Sequence, residues 1–311
     1  MAHGSIPMSK EANAIKEIGS QYTICEMSPY NPPVAHVQPG EQIKIRTVDC
    51  FCGRLRCETD MLGALPWDTI NPCTGPVFVD GAVPGDILKI EIDDIALDGI
   101  GVTIQDNGDL LKYGIERPDK SMYLHVANGK ILVGEHLSYP VSPMIGAIGT
   151  APKEGNILTT LPGLHGGNMD CTQIKPGSIV YLPVFHDGGL LALGDVHASM
   201  GDGEAVGCGV EIACTVTLRV SIVRGKQLPL PLVKCDDKLI TNASATTLDE
   251  AVVQAAKNMI DYLVSFQHHT LKYAWNVLAI AGHVCICQFA NKLKTARCEL
   301  PLSLVNGIQR D

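Results

Sequence analysis

The pattern of apolar and polar residues divides the chain into two textures. Ile43-Lys44-Ile45-Arg46-Thr47-Val48, Ile87-Leu88-Lys89-Ile90-Glu91-Ile92 and Ile179-Val180-Tyr181-Leu182 are strand-like runs, each preceded by a Pro-Gly pair: Pro39-Gly40, Pro84-Gly85 and Pro176-Gly177. Pro-Gly sets a turn, and alternation after it marks a strand with one buried face. Thr215 to Val220 repeats the alternation, Gly146 to Pro152 reads as a buried strand, and Asn107-Gly108 and Asn128-Gly129 predict hairpin turns. The uneven spacing of the Pro-Gly device argues for a β architecture rather than a repeat array.

After Pro231 the period changes. Thr247 stands as a helix N-cap with Glu250 placed for a capping box, and apolar residues recur at Ala251, Val252, Ala255, Ala256, Met259, Ile260, Leu263 and Val264. A second helix is predicted through Leu271, Trp275 and Leu278. Val284 to Phe289 and Arg297 to Val305 then return to strand. The expected fold is α+β: β-rich, with sandwich- or barrel-like sheets and a helical segment near the C-terminus. Residues 20–230 form the expected β-rich catalytic portion, and residues 231–311 an α+β portion packed on it, as neighbours or as one domain.

Size and composition narrow the function classes. A chain of 311 residues, 46% hydrophobic, can bury a large core. A net charge of −9 with only 5% aromatic residues argues against nucleic acid as a partner. No apolar run reaches the length of a membrane helix, and no signal-peptide pattern opens the sequence, so no membrane partner and a cytoplasmic location are expected. The 12 cysteines include no Cys-x-x-Cys pair and read as reduced, buried thiols. Cys50/Cys52 and Cys285/Cys287 alternate, which on strands would bring each pair to one face.

The candidate chemistry lies between residues 165 and 204. Asp195-x-His197 follows the apolar Leu190-Leu191-Ala192-Leu193 and offers two ligands at a strand end, with a hydrogen-bonded His–Asp pair as the plainer alternative. Asp202-Gly203-Glu204 adds two carboxylates nearby, and uncompensated carboxylates repel unless a cation or shared protons relieve them. Asp170 follows Gly166-Gly167-Asn168, where Asn168 could stabilise an oxyanion and His165 could ligate or carry a proton. Asp49, within an apolar segment, is a further acid in need of a partner. Cys171 is a rival nucleophile, provided that a base and a depressed thiol pKa accompany it. Glu58 and Asp60 read as solvated loop charges, and His36, His125, His136 and His186 as structural residues.

These motifs resemble the acetamidase/formamidase family of metal-dependent amide hydrolases. The likeness rests on Pro162-Gly163, His165-Gly166-Gly167-Asn168-Met169-Asp170, Lys175-Pro176-Gly177-Ser178 and Gly194-Asp195-Val196-His197 through Gly201-Asp202-Gly203-Glu204. Upstream it takes in Asn71 to Pro76, Asp80 to Asp86 and Pro143 to Gly149, all in the expected order. The resemblance implies a divalent metal, Zn²⁺ or Ca²⁺, a homodimer, and hydrolysis of a small amide such as formamide or acetamide to carboxylate and ammonia. On this expectation Asp170, Asp195 and His197, with Asp49 as a further candidate, hold metal. Glu204 or Asp202 moves the proton, while Asn168 and His165 assist. Two departures stand out: the family's C-terminal acid is absent at Ala281-Gly282-His283-Val284, and Cys50, Cys52 and Cys73 replace smaller residues. A non-catalytic metal- or small-ligand-binding β protein is the rival from another class.

Overall fold

The computed structural model describes residues 15–55, 66–104, 108–116, 122–134 and 137–305. Each Pro-Gly pair turns the chain with its glycine at positive φ, and a strand follows in every case: Gln42–Arg46, Ile87–Leu97 and Ile179–Pro183. Gln42–Arg46 buries every second residue, as does most of Cys214–Val223, because these strands present one face to the core. They join a nine-stranded sheet in the order Lys16–Ile18, Gln42–Arg46, Cys214–Val223, Ile87–Leu97, Ile179–Pro183, Leu232–Cys235, Lys238–Ala245, Lys294–Pro301, His283–Gln288.

A seven-stranded sheet packs against it. Its centre is Met144–Gly149 and Leu191–His197, antiparallel to each other, and Leu191–His197 is flanked on its other side by Cys73–Val79. Ile43, Ile45, Ile90 and Val216 of the first sheet share one core with Val77, Ile145, Ile148, Leu193 and Val196 of the second. Unlike the alternating strands, Met144–Gly149 and Leu191–His197 are buried at every position. Ile145, Ile148, Leu193 and Val196 meet the main core, whereas Ala147 and Ala192 pack against Met27 and Cys73.

The helical segment is where its periodicity places it. Leu248–Asp261 begins with the full Thr247/Glu250 capping box, continues into a π-helical turn at Tyr262–Phe266, and is followed by Leu271–Ala281. Ala255, Met259, Tyr262, Ala274 and Val277 form a second core with Leu232, Leu239, Cys298 and Leu300. The strand ladder passes residue 231 without a break: Ile179–Pro183 pairs with Leu232–Cys235. The C-terminal portion therefore extends the main sheet.

Two local expectations are corrected. Gly108 opens a short helix, Gly108–Lys112, rather than closing a hairpin, and Asn107 lies outside the described residues. Asn128-Gly129 does form its turn, both residues at positive φ between Met122–Ala127 and Lys130–Val133. Cys50 and Cys52 lie in a turn, not a strand, with Cys52 left-handed (φ 57°), so they share no strand face. Glu58, Asp60 and His136 fall outside the described residues.

Candidate active site

Leu191–His197 delivers two site residues, though not by simple alternation. Its register against Met144–Gly149 pairs His197 with Met144, Val196 with Ile145 and Gly194 with Ala147. Between these pairs Asp195 adopts φ +53° opposite Gly146. A side chain is impossible there without rearrangement: a Cβ on Gly146 would lie 2.6 Å from Asp170 Oδ1 and 2.7 Å from Asp195 Oδ2. Glycine at 146 thus leaves room for the two carboxylates to converge. Asp170 (φ +50°) and Glu204 (φ +48°) are left-handed as well. This conformation costs about 1 kcal/mol or more per non-glycine residue and concentrates at functional sites.

The convergence produces three overlapping groups whose candidate ligand atoms lie within 4.8 Å of one another: Asp170, Asp195 and His197; His197, Glu204 and Glu211; and Cys50, Asp195 and Glu211. All six side chains are buried. His197 Nδ1 lies 3.0 Å from Met144 Sδ. A thioether only accepts, so this contact puts a proton on Nδ1 and turns Nε2 toward the acids. Nε2 stands 2.8 Å from Glu211 Oε1 but is not aligned as a hydrogen bond. Asp195 Oδ1, Glu204 Oε2 and Glu211 Oε2 are also without an aligned donor.

Electrostatics follow from this crowding. Burial, followed by the charge of neighbouring carboxylates, holds Asp170 and Asp195 well above the usual carboxylate range. Burial raises Glu204 to about 8. Burial opposes charge on His197 and on Glu211, yet each stabilises the other's ion, so His197 is raised and Glu211 lowered. Without a cation the group must retain protons. A divalent cation would replace them, and the mixed imidazole and carboxylate donors, the orphaned oxygens and the Gly146 cradle all fit one.

Amides support the acids from one side. With its amide nitrogen facing the carboxylates, Asn168 donates to Asp195 Oδ2 (2.8 Å) and Asp170 Oδ1 (3.3 Å), and its oxygen accepts from Asn291 and Asn71. Asn291 also donates to Asp170 Oδ2 at 3.2 Å. The group opens into a cleft of about 530 Å³ that Asn168, Glu204 and Glu211 line together with Cys50, Phe51, Ile70, Leu158 and Leu161.

Four sequence candidates stand apart from the group. Asp202 makes a two-pronged ion pair with Arg297 (2.8 and 2.7 Å) and accepts from Thr172, so its oxygens point to structure rather than to the cleft. Burial works against the Asp202 charge, but these partners keep its pKa below the ordinary value. Asp49 accepts from the backbone N–H of Phe51 and Gly53, capping the turn that presents Cys50 and Phe51. His165 is buried beside Gly163 and Gly167, where burial lowers it to about 4 and keeps it neutral. Cys171 is fully buried, is not among the residues lining the cleft, and has its pKa lowered by the Cys287 thiol. His283 is exposed at the start of the edge strand His283–Gln288, where it pairs with Glu299 and belongs to none of the close ligand groups.

The sequence reading missed Glu211, Gly146, Asn71, Asn291 and the site placement of Cys50. Glu211 was within reach: it is a single acid in Cys208-Gly209-Val210-Glu211-Ile212-Ala213, and a charge in so apolar a run needs a buried partner.

Comparison with known proteins agrees with the fold and the motif order. The chain is 24% identical over 255 residues to a formamidase of Methylophilus methylotrophus, with 62% of each chain covered. It is 25% identical to an acetamidase of Mycolicibacterium smegmatis, covering 62% of this chain and 64% of that protein. It therefore spans just under two thirds of the length of these relatives. The crystal structure of an acetamidase from Bacillus halodurans superposes with a TM-score of 0.90 at 42% identity, covering 93% of this chain and 98% of the other. A predicted acetamidase/formamidase from Thermoanaerobacter tengcongensis gives 0.89 at 39% identity, with coverage of 94% and 97%. The model of the acetamidase/formamidase family matches residues 21–157 and 153–292, and the chain belongs to that family.

Proposed function

We propose that the protein hydrolyses the C–N bond of a short amide to a carboxylate and ammonia, with a divalent cation held by Asp170, Asp195 and His197. The carrying observation is the convergence of these three buried ligands, two of them in left-handed backbone, with His197 grouped against Glu204 and Glu211, which line a cleft with an apolar wall. Imidazole among the donors favours Zn²⁺ over Ca²⁺, whose ligands are oxygens. Such a cation supplies Lewis acidity at the amide carbonyl and lowers the pKa of water.

The chain's own residues supply the rest. Glu204 lines the cleft with an unpartnered oxygen, so it takes the proton of the attacking water and returns one to the leaving nitrogen. Asn168 spends its N–H groups on Asp170 and Asp195, and its role is to hold those carboxylates in place rather than to bind an oxyanion. Phe51, Ile70, Leu158 and Leu161 exclude water around the acyl group.

Glu204 and Asp202, equivalent in the sequence motif, are distinguished by mutation. Glu204→Gln is expected to lower kcat by about 10²–10⁴-fold with the fold intact. Asp202→Asn is expected to lower the unfolding midpoint and change kcat only a few-fold, since it breaks the Arg297 pair. Ammonia release and thermal melts on both variants check this, and the opposite assignment of effects overturns the role given to Glu204.

A further inference from the structure

One part of the acidic group is left over once Asp170, Asp195 and His197 are assigned to a cation and Glu204 to the proton. Cys50 Sγ, Asp195 and Glu211 form their own mutually close group, separate from Asp170 but sharing Asp195. Cys50 is 4% exposed and lines the cleft, so its thiol is enclosed by protein yet reachable from the substrate side. The turn that carries it is pinned by Asp49, whose carboxylate accepts from Phe51 and Gly53. Glu211 accepts from Cys208 Sγ at 3.2 Å and lies within hydrogen-bonding reach of the Cys50 thiol. Even so, Glu211 Oε2 and Asp195 Oδ1, on residues each only 2% exposed, have no aligned donor. Two orphaned carboxylate oxygens beside a thiol make a concentration of lone pairs that protein donors do not satisfy.

We propose that Cys50, Asp195 and Glu211 form a second cation position, bridged to the first through Asp195 and selective for a thiophilic divalent ion. The inference rests on the first position in one respect only, the shared Asp195. Binding exchanges the Cys50 S–H proton, released to solvent, for a sulfur–cation bond, with no change of oxidation state. Sulfur discriminates here: Zn²⁺ and Cd²⁺ accept thiolate, whereas Ca²⁺ and Mg²⁺ do not compete for it. A shared carboxylate is also the usual link between paired ions in hydrolases, which lie about 3.5–4 Å apart.

The test titrates Cd²⁺ into chelator-stripped full-length protein under a non-thiol reductant. Bound Cd²⁺ per chain and the near-ultraviolet thiolate-to-cadmium absorption are followed together. Wild type is expected to bind two ions, one with a thiolate band. Cys50→Ser and Cys50→Ala are expected to lose that band and weaken one site by about tenfold or more, while Cys52→Ser keeps both. Asp170→Asn is expected to weaken the other site and keep the band, which separates this inference from the first position. Two outcomes overturn the proposal: a single ion per chain, or a thiolate band that survives both Cys50 variants in proteins whose melts show them folded. An inactive protein that still shows the Cys50-dependent band would leave the inference standing and overturn the amidase reading alone.

Discussion

Gly146 shows how much a site can depend on an absent side chain. The carboxylates of Asp170 and Asp195 converge over its Cα, where any Cβ would be closer to them than contact distance. Gly146→Ala must push both acids apart or shift the Leu191–His197 strand, since Asp195 O lies at 2.7 Å from the same point. The expected result is at least about 100-fold lower kcat/KM, of the size that a misplacement near 1 Å costs, together with weaker cation binding. Steady-state kinetics with a metal titration checks this, and a fully active alanine variant would remove Gly146 from the account. At this scale the sequence was only partly legible. Asp170, Asp195, His197 and Glu204 announce themselves because they crowd into one stretch. Asp202 looked equivalent to Glu204 because motif spacing does not show that Arg297, 95 residues on, occupies it.

Elements were more legible than residues, because an element follows from local pattern. The capping box at Thr247 is a clear case: three positions separate the cap from Glu250, and both reciprocal hydrogen bonds form. The helix it starts buries Ala251, Ala255 and Met259 against the sheet, away from the cleft. Thr247→Ala is therefore expected to cost about 1 kcal/mol of folding stability and to leave turnover unchanged, as read by denaturant melts and ammonia release. The missed elements have the opposite cause. Cys50 and Cys52 are spaced as on one face of a strand, but Asp49 folds the segment into a turn through two backbone N–H groups, a side-chain effect that spacing does not carry.

For the whole molecule, pattern gave the β-rich α+β class but not which strands would meet. The pairing of Met144–Gly149 with Leu191–His197 sets Gly146 against Asp195, and that long-range register builds the site. Burying so many acids links stability to pH. Glu204 in the cation-free protein is raised to about 8 from an ordinary 4.5, and Asp170 and Asp195 are also raised. The folded state holds these protons more tightly than the unfolded chain. The stability they contribute is thus present below about pH 4.5 and is lost as pH rises through about 8. Chelator-treated protein is expected to melt at progressively lower temperature from pH 5 to pH 8.5. Saturating Zn²⁺ is expected to abolish that decline, because the cation compensates the charges that protons otherwise neutralise. Parallel melts with and without metal check this.

The most direct test of the central claim is ammonia release from formamide and acetamide by purified protein, measured as isolated, after metal removal and after Zn²⁺ is restored, with Asp195→Ala alongside. The account predicts release that disappears on stripping, returns with the cation, and stays absent in Asp195→Ala under every condition. Undiminished release from thoroughly stripped protein, or from Asp195→Ala, would contradict it.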